Sequence, residues 1–348
     1  MKSFILFYLI LGTSLSLLAQ STEEVQQLIS KGIEYHDSGQ FEEAISTYQE
    51  ALNIDHTNAT ANYEIAFSYA SLRDYDNAIK HCNKIIKQKK GDPTMAYVTK
   101  ANCLDKQGYS KKAIKVYKKA LKKTGHHYLI HYNLALTYFK LKDFDKSTEN
   151  TIAAIENNPG HASSHILLGY SQMSLGNKTQ TILALNYFLL LEHDTKRSAE
   201  ALEIFNDKII GDVTSSQDGN NKTINISISP NTDQSFMAAE LSLSILQATK
   251  GTLLDGAEED EIETEMSDQE YYVYKITSFY QILGELKEAK NEGLFWDFYV
   301  PMFYKIANSD HMETFCYLFS SNDEESAIWI EENEDALIDF AEWLQNGQ

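Results

Sequence analysis

At 348 residues, 43% of them hydrophobic and 23% charged, the chain has a globular composition that excludes global disorder. Its length suits about two domains of roughly 150 residues, and a total of 4 prolines favours long helices, because proline breaks helix interiors. The net charge of -20 is unevenly held: residues 211–348 carry 28 acidic and 6 basic side chains, residues 1–210 carry 22 and 24, and two electrostatically distinct domains are expected.

The chain opens with Lys2, an apolar run from Phe4 to Leu11, a continuation from Leu15 to Ala19, and then the polar Gln20, Ser21 and Thr22. A basic tip, a short apolar core and a small residue before polar sequence predict a signal peptide over 1–19, cut after Ala19. Gly12, Thr13, Ser14 and Ser16 dilute the run below the roughly 20 apolar residues of a membrane span, so cleavage is expected rather than anchoring. The expected location is therefore outside the cytoplasm, periplasmic or secreted. The cysteines are Cys82, Cys103 and Cys316, without metal-type spacing. They read as buried free thiols, with a Cys82–Cys103 bridge as the alternative.

From residue 25 onward the sequence echoes itself. Gly32, Ala66, Ala101, Ala135 and Gly169 are small residues 34, 35, 34 and 34 apart, and Ala44, Ala78, Ala113 and Ser147 repeat with the same period. Tyr48, Cys82, Tyr117 and Thr151 form a third series, and Ala51, Ile85, Ala120 and Ala154 a fourth. Turn residues with an aromatic fall between the first two series: Gly39 and Phe41, Arg73 and Tyr75, Gly108 and Tyr109, Lys142 and Phe144. Small residues let two antiparallel helices approach closely, and one such hairpin cannot bury its apolar face without a stacked neighbour.

With these residues the sequence resembles the tetratricopeptide repeat (TPR) family over roughly 25–192. The resemblance implies a mainly all-α fold: an α-α hairpin superhelix of about five units, with Ser198–Ile210 as a capping helix, so that 25–210 forms one domain. It also implies that the first helices line a concave groove. The matching positions are Ile29 and Ile33, Tyr63 and Phe67, Val98 and Asn102, Tyr132 and Leu136, and Ile166 and Tyr170. A mostly aromatic and aliphatic strip of this kind marks a protein- or peptide-binding surface, filled either by an external partner or by the chain's own C-terminal part. Some family members grip a carboxy-terminal peptide with lysines and asparagines. Here Asn102 and Asn133 fall at plausible sites but Ile29 and Val98 replace lysines, so that clamp is incomplete.

Lysines gather on the outer helices, with Lys84, Lys111, Lys115, Lys118 and Lys122 as the core of a basic face. A solvated face is the plain reading; the alternatives are weak contact with an anionic surface or docking of the chain's own acidic part. Nucleic acid is not expected, since the aromatic interleaving of such readers is missing. His127 and His131 are four apart, as are His161 and His165, which makes a zinc or copper site conceivable although the repeat alone accounts for the pattern. No metal and no cofactor are expected.

Residues 211–223 read as a linker. Ile224, Ile226 and Ile228 alternate with polar residues as in a short strand, and Ser235–Thr249 reads as helical. The acids from Glu258 to Glu270 suggest a solvated loop. Helical spacing returns at Tyr272, Ile276, Phe279 and Leu283, at Phe295, Phe298, Met302 and Ile306 with a kink at Pro301, and at Ile328, Leu337, Phe340 and Trp343. The region 224–348 is thus expected to be a small, acidic, aromatic-rich helical domain. No nucleophile, triad or metal-ligand pattern points to catalysis. The expected function is a protein-binding scaffold; the alternative is that 224–348 is an active module, a hydrolase or ligand-binding domain, positioned by the repeats.

Overall fold

The computed structural model describes residues 21–88, 91–192, 195–210, 213–218, 221–226, 233–249, 267–319 and 324–346. The expected signal peptide and most of the acidic loop lie outside the described residues. The chain divides into two compact units, meeting between Leu141 and Lys142.

The first unit is a run of helical hairpins. α1 (21–37) pairs with α2 (Phe41–Ile54), α3 (Ala59–Ser71) with α4 (Tyr75–Gln88), and α5 (Thr94–Lys106) with α6 (Ser110–Thr124), before α7 (Tyr128–Lys140). The sequence echoes are the buried contacts: Ala44, Ala78 and Ala113 are fully buried, as are Tyr48, Cys82 and Tyr117. Gly32 is small because a Cβ there would run into the Tyr48 ring. Each hairpin reverses through one left-handed residue, Gly39 (φ 76°), Arg73 (φ 61°) and Gly108 (φ 84°), and the next amide reaches back to the helix: Gln40 N–H to Tyr35 O, Asp74 to Tyr69 and Tyr109 to Leu104, each at 2.8 Å. This is a helix-ending motif that satisfies orphan carbonyls. Arg73 occupies it without glycine's freedom, at a cost of about 1 kcal/mol. The core is a series of small clusters, one around Tyr48 and Ile65, one around Cys82 and Ile85, and one around Tyr117 and Leu134.

The second unit comprises α8 (Phe144–Asn157), α9 (Ala162–Leu175), α10 (Lys178–Leu191) and α11 (Lys196–Ile210), then strands β1 (Val213–Asp218) and β2 (Asn221–Ile226). α12 (Met237–Thr249) and α13 (Asp268–Glu285) follow. A π-helical turn, Phe295–Tyr299, leads directly into α14 (Val300–Ala307), and α15 (Met312–Phe319), α16 (Glu324–Glu332) and α17 (Glu334–Asn346) end the chain. Its core is one continuous cluster from Ile155 to Phe340. At its centre α10 is buried on every side from Thr179 to Leu189. Glu240 of α12, itself buried, accepts a hydrogen bond from Thr179 N–H at 3.1 Å, placing a carboxylate on the positive N-terminus of α10. α13 starts with a capping box between Ser267 and Glu270.

Two expectations are corrected. The repeat helices α8–α11 do not belong to a domain ending at 210: Ile155, Leu168, Phe188 and Phe205 share their core with Phe236, Tyr280, Tyr299 and Phe340. Thr181 and Asn186 of α10 lie inward where an amphipathic repeat helix would face solvent, so other helices must cover that side. The expected linker at 211–223 instead supplies β1, paired antiparallel with β2 in the register Val213↔Ile226 to Asp218↔Asn221. Pro301 sits in the first turn of α14, where its missing N–H is tolerated, next to the π-turn.

Candidate functional site

In the first unit, the facing sides of α3 and α5 and the turn after α3 form a pocket of about 300 Å³, lined by Phe67, Ala70, Ser71, Arg73, Tyr75, Thr99, Asn102, Cys103 and Lys106. Phe67 stands 44% exposed, a large apolar surface left in water. Its ring is fixed by neighbours: the imidazole of His36 stacks on it at 4.7 Å, and the Tyr63 ring lies parallel at 6.3 Å. His36 Nδ1 is 2.8 Å from Ser68 Oγ, and burial lowers its pKa, so the ring is a neutral platform at pH 7. The ring is thus held in one orientation by its own neighbours.

The charges around this ring are sorted. Arg73 and Lys106 edge the pocket, and neither has an ion-pair partner among the described residues. On the α1–α3 side, burial and then the nearby Asp37 carboxylate raise the pKa of Glu64. One end therefore favours an anion and the other a cation. Nucleophilic chemistry at Cys103 is disfavoured, because burial pushes its thiol up to about 11.

The expected groove residues separate by burial. Ile33 and Phe67 are exposed, and Tyr63, Asn102, Tyr132, Leu136 and Tyr170 are half-buried. Ile29, Val98 and Ile166, expected to line the groove, are instead core residues with 3%, 4% and 6% exposure, since they fill the space between adjacent helices. The Asn102 Oδ1 accepts the Tyr117 hydroxyl of α6, and Asn133 Nδ2 donates to Leu129 O of its own helix at 2.8 Å, so these parts of both amides are used within the fold. Arg73, Thr99, Lys106 and His36 were not anticipated. Lys106 lies four residues after Asn102, on the same side of α5, and that spacing was the available signal.

Lys84, Lys111, Lys115, Lys118 and Lys122 are all exposed. Ser110–Thr124 contains no acidic residue, and Lys112 lies over the Tyr109 ring at 4.2 Å. Lys100 feels this density: burial, and then the nearby Lys119 charge, lower its pKa.

The histidines do not assemble a metal site. His165 Nε2 lies 2.7 Å from Pro159 O and its Nδ1 lies 2.6 Å from Tyr299 Oη, so neither lone pair is open. His161 Nδ1 is 2.8 Å from Ser164 Oγ, His127 caps α7 through Leu129 N–H, and His131 pairs with His126 at 2.9 Å. Among the described residues, no three His, Cys, Asp or Glu side chains converge as a metal requires. Cys82, Cys103 and Cys316 are buried thiols rather than disulfide-bridged. No helix among the described residues is long and apolar enough to cross a membrane.

A family model for the TPR repeat matches residues 32–72, and one for anaphase-promoting complex, cyclosome, subunit 3 matches residues 71–150. No curated protein matches the chain. Among solved structures it is similar to a thermophilic TPR protein of Thermus thermophilus, at 17% identity over 51% of this chain and 99% of that one, with a TM-score of 0.44. It is also similar to pilF of Pseudomonas aeruginosa, at 17% identity over 54% and 87% and a TM-score of 0.47. A third is YrrB, a TPR protein with an unusual peptide-binding site, at 18% identity over 54% and 96% and a TM-score of 0.39. The phased hairpins of the first unit thus carry a tetratricopeptide repeat where the family model matches, at residues 32–72.

Proposed function

We propose that the protein is a scaffold that holds a segment of another protein on the inner helices of its first unit. The observation that carries this reading is the exposed Phe67 ring, clamped by His36 and Tyr63 beside a pocket edged by Arg73 and Lys106. A pre-positioned aromatic anchor loses little freedom on binding, and flanking charges set register and partner choice. The fitting partner offers an apolar side chain to Phe67 and a carboxylate to Arg73 and Lys106. Its basic residues would face Asp37 and Glu64. A partner fished from cell-envelope extract by the intact chain tests this. Phe67→Ala is expected to weaken that partner about fivefold to thirtyfold, in line with an anchor worth about 1–2 kcal/mol, with helicity unchanged. Unaltered capture would remove the pocket from the reading.

Export through the 1–19 segment belongs to the same proposal and is supported by its signal-like composition. A mature protein beginning near Gln20 is expected; a retained Met1 would overturn it. A second reading rests on the acid-free α6: its lysines would add a salt-sensitive contact with an anionic surface.

A further inference from the structure

The second unit has a cleft of about 430 Å³, within the usual range of ligand pockets. Its walls are Pro159, Tyr187, Phe298, Pro301, Met302, Ile306, Trp343 and Leu344, with Asp297 and Lys305 as its charged residues. We infer that this cleft binds a small organic molecule with an aryl or alkyl body and a carboxylate, the body against Tyr187, Phe298 and Trp343 and the carboxylate at Lys305.

Three observations support the assignment. The wall is built rigidly, because the π-turn Phe295–Tyr299 supplies Asp297 and Phe298, and π-turns next to α-helices often serve functional sites. It is fixed from behind by His165, which donates from Nε2 to Pro159 O at 2.7 Å and accepts the Tyr299 hydroxyl at 2.6 Å. Phe298 packs on Tyr187 at 4.9 Å. Second, the charges select sign. Asp297 is already engaged, accepting from Lys287 at 3.3 Å and from Gly293 N–H at 2.8 Å. The Lys305 ammonium lies 5.0 Å from the centre of the Trp343 ring, so a cationic ligand would meet an indole face already covered by a cation. Third, Lys305 is one of only 6 basic residues in 211–348, against 28 acidic ones, so an anion would find its attraction at this cleft against a repelling background.

The test uses the full chain with ¹⁵N-labelled tryptophan, whose indoles report on Trp296, Trp329 and Trp343 separately. The probes are 4-phenylbutanoate and the uncharged 4-phenylbutan-1-ol. Saturable movement of the Trp343 signal is expected, with Trp329, stacked on Tyr317, unmoved. The acid should bind about threefold to fivefold tighter than the alcohol, the size of a partly exposed ion pair. Lys305→Met should abolish that preference and Lys305→Arg should keep it; Lys305 is exposed, so neither change threatens folding. No saturable Trp343 movement, equal binding of acid and alcohol, or a preference that survives Lys305→Met would each overturn the assignment.

Discussion

The two units solve the problem of burying a helix in opposite ways. In the first, the second helix of each hairpin keeps one solvated side, and three small clusters in succession hold the hairpins together. In the second, α10 is apolar or buried all round, and helices distant in sequence close over it to make one core. A serial core leaves a long face open to a partner, whereas a closed core trades that face for enclosed walls and a cleft. The difference teaches that the same repeat pattern builds an open surface or a closed one, depending on whether its second helix keeps a solvated side.

The largest expected effect tests this contrast directly. Phe188 and Ile65 are both fully buried, and alanine at either should cost about 3–5 kcal/mol. Amide exchange should separate them: Phe188→Ala is expected to accelerate exchange in α8–α15, and Ile65→Ala in α1–α4 with α6 and α7 spared. Acceleration of α6 and α7 by Ile65→Ala would break the claim that the first core is serial.

A somewhat smaller effect should appear with pH. Burial holds His165 down at about 4, below the ordinary histidine value of about 6.5, so the unfolded chain takes up its proton first. Its neutral form therefore stabilises the second unit fully above about pH 6.5, and up to about 3 kcal/mol is lost as pH falls towards 4. His81 in the first unit is also lowered to about 4, first by burial and then by Lys84 and Lys80. Melting followed from pH 7 to pH 4 should lose its slope in the second unit for His165→Gln and in the first for His81→Gln. A slope unchanged in both variants would assign acid lability to other groups.

The smallest effect concerns the hairpin turns. Arg73 and Lys142 (φ 59°) occupy the left-handed position that glycine fills at Gly39, Gly108 and Gly176. Lys142→Gly should raise stability by about 0.5–1 kcal/mol, read as a higher melting temperature. Arg73→Gly should do the same while weakening capture of a carboxylate-bearing partner, which distinguishes a strained residue kept for its charge from one that merely occupies a turn.

Much of the first unit was legible from spacing. The series Ala44, Ala78 and Ala113 and the series Tyr48, Cys82 and Tyr117 are the fully buried positions, because helix–helix contacts within a hairpin join residues close in sequence. The pocket was half legible. Phe67, expected in the groove, is exposed, whereas Ile29, Val98 and Ile166, expected there too, are core residues. A helix position between two neighbours can point into the groove or into the gap between helices, and a few degrees of rotation decide which. Arg73 was seen as a turn residue, and its second role at the pocket edge depends on where α5 lies.

The sequence by itself determined the hairpin period, the helical class and the split between a near-neutral first part and an acidic second part, since these follow from local geometry and composition. Only the tertiary structure decided that α8–α11 join the C-terminal helices rather than the earlier hairpins, and that a cleft lined by Tyr187, Phe298 and Trp343 results. The physical reason is range: the bond from His165 to Tyr299 joins residues 134 apart, and no periodicity in the chain encodes which distant apolar surface will cover a helix that has no polar side.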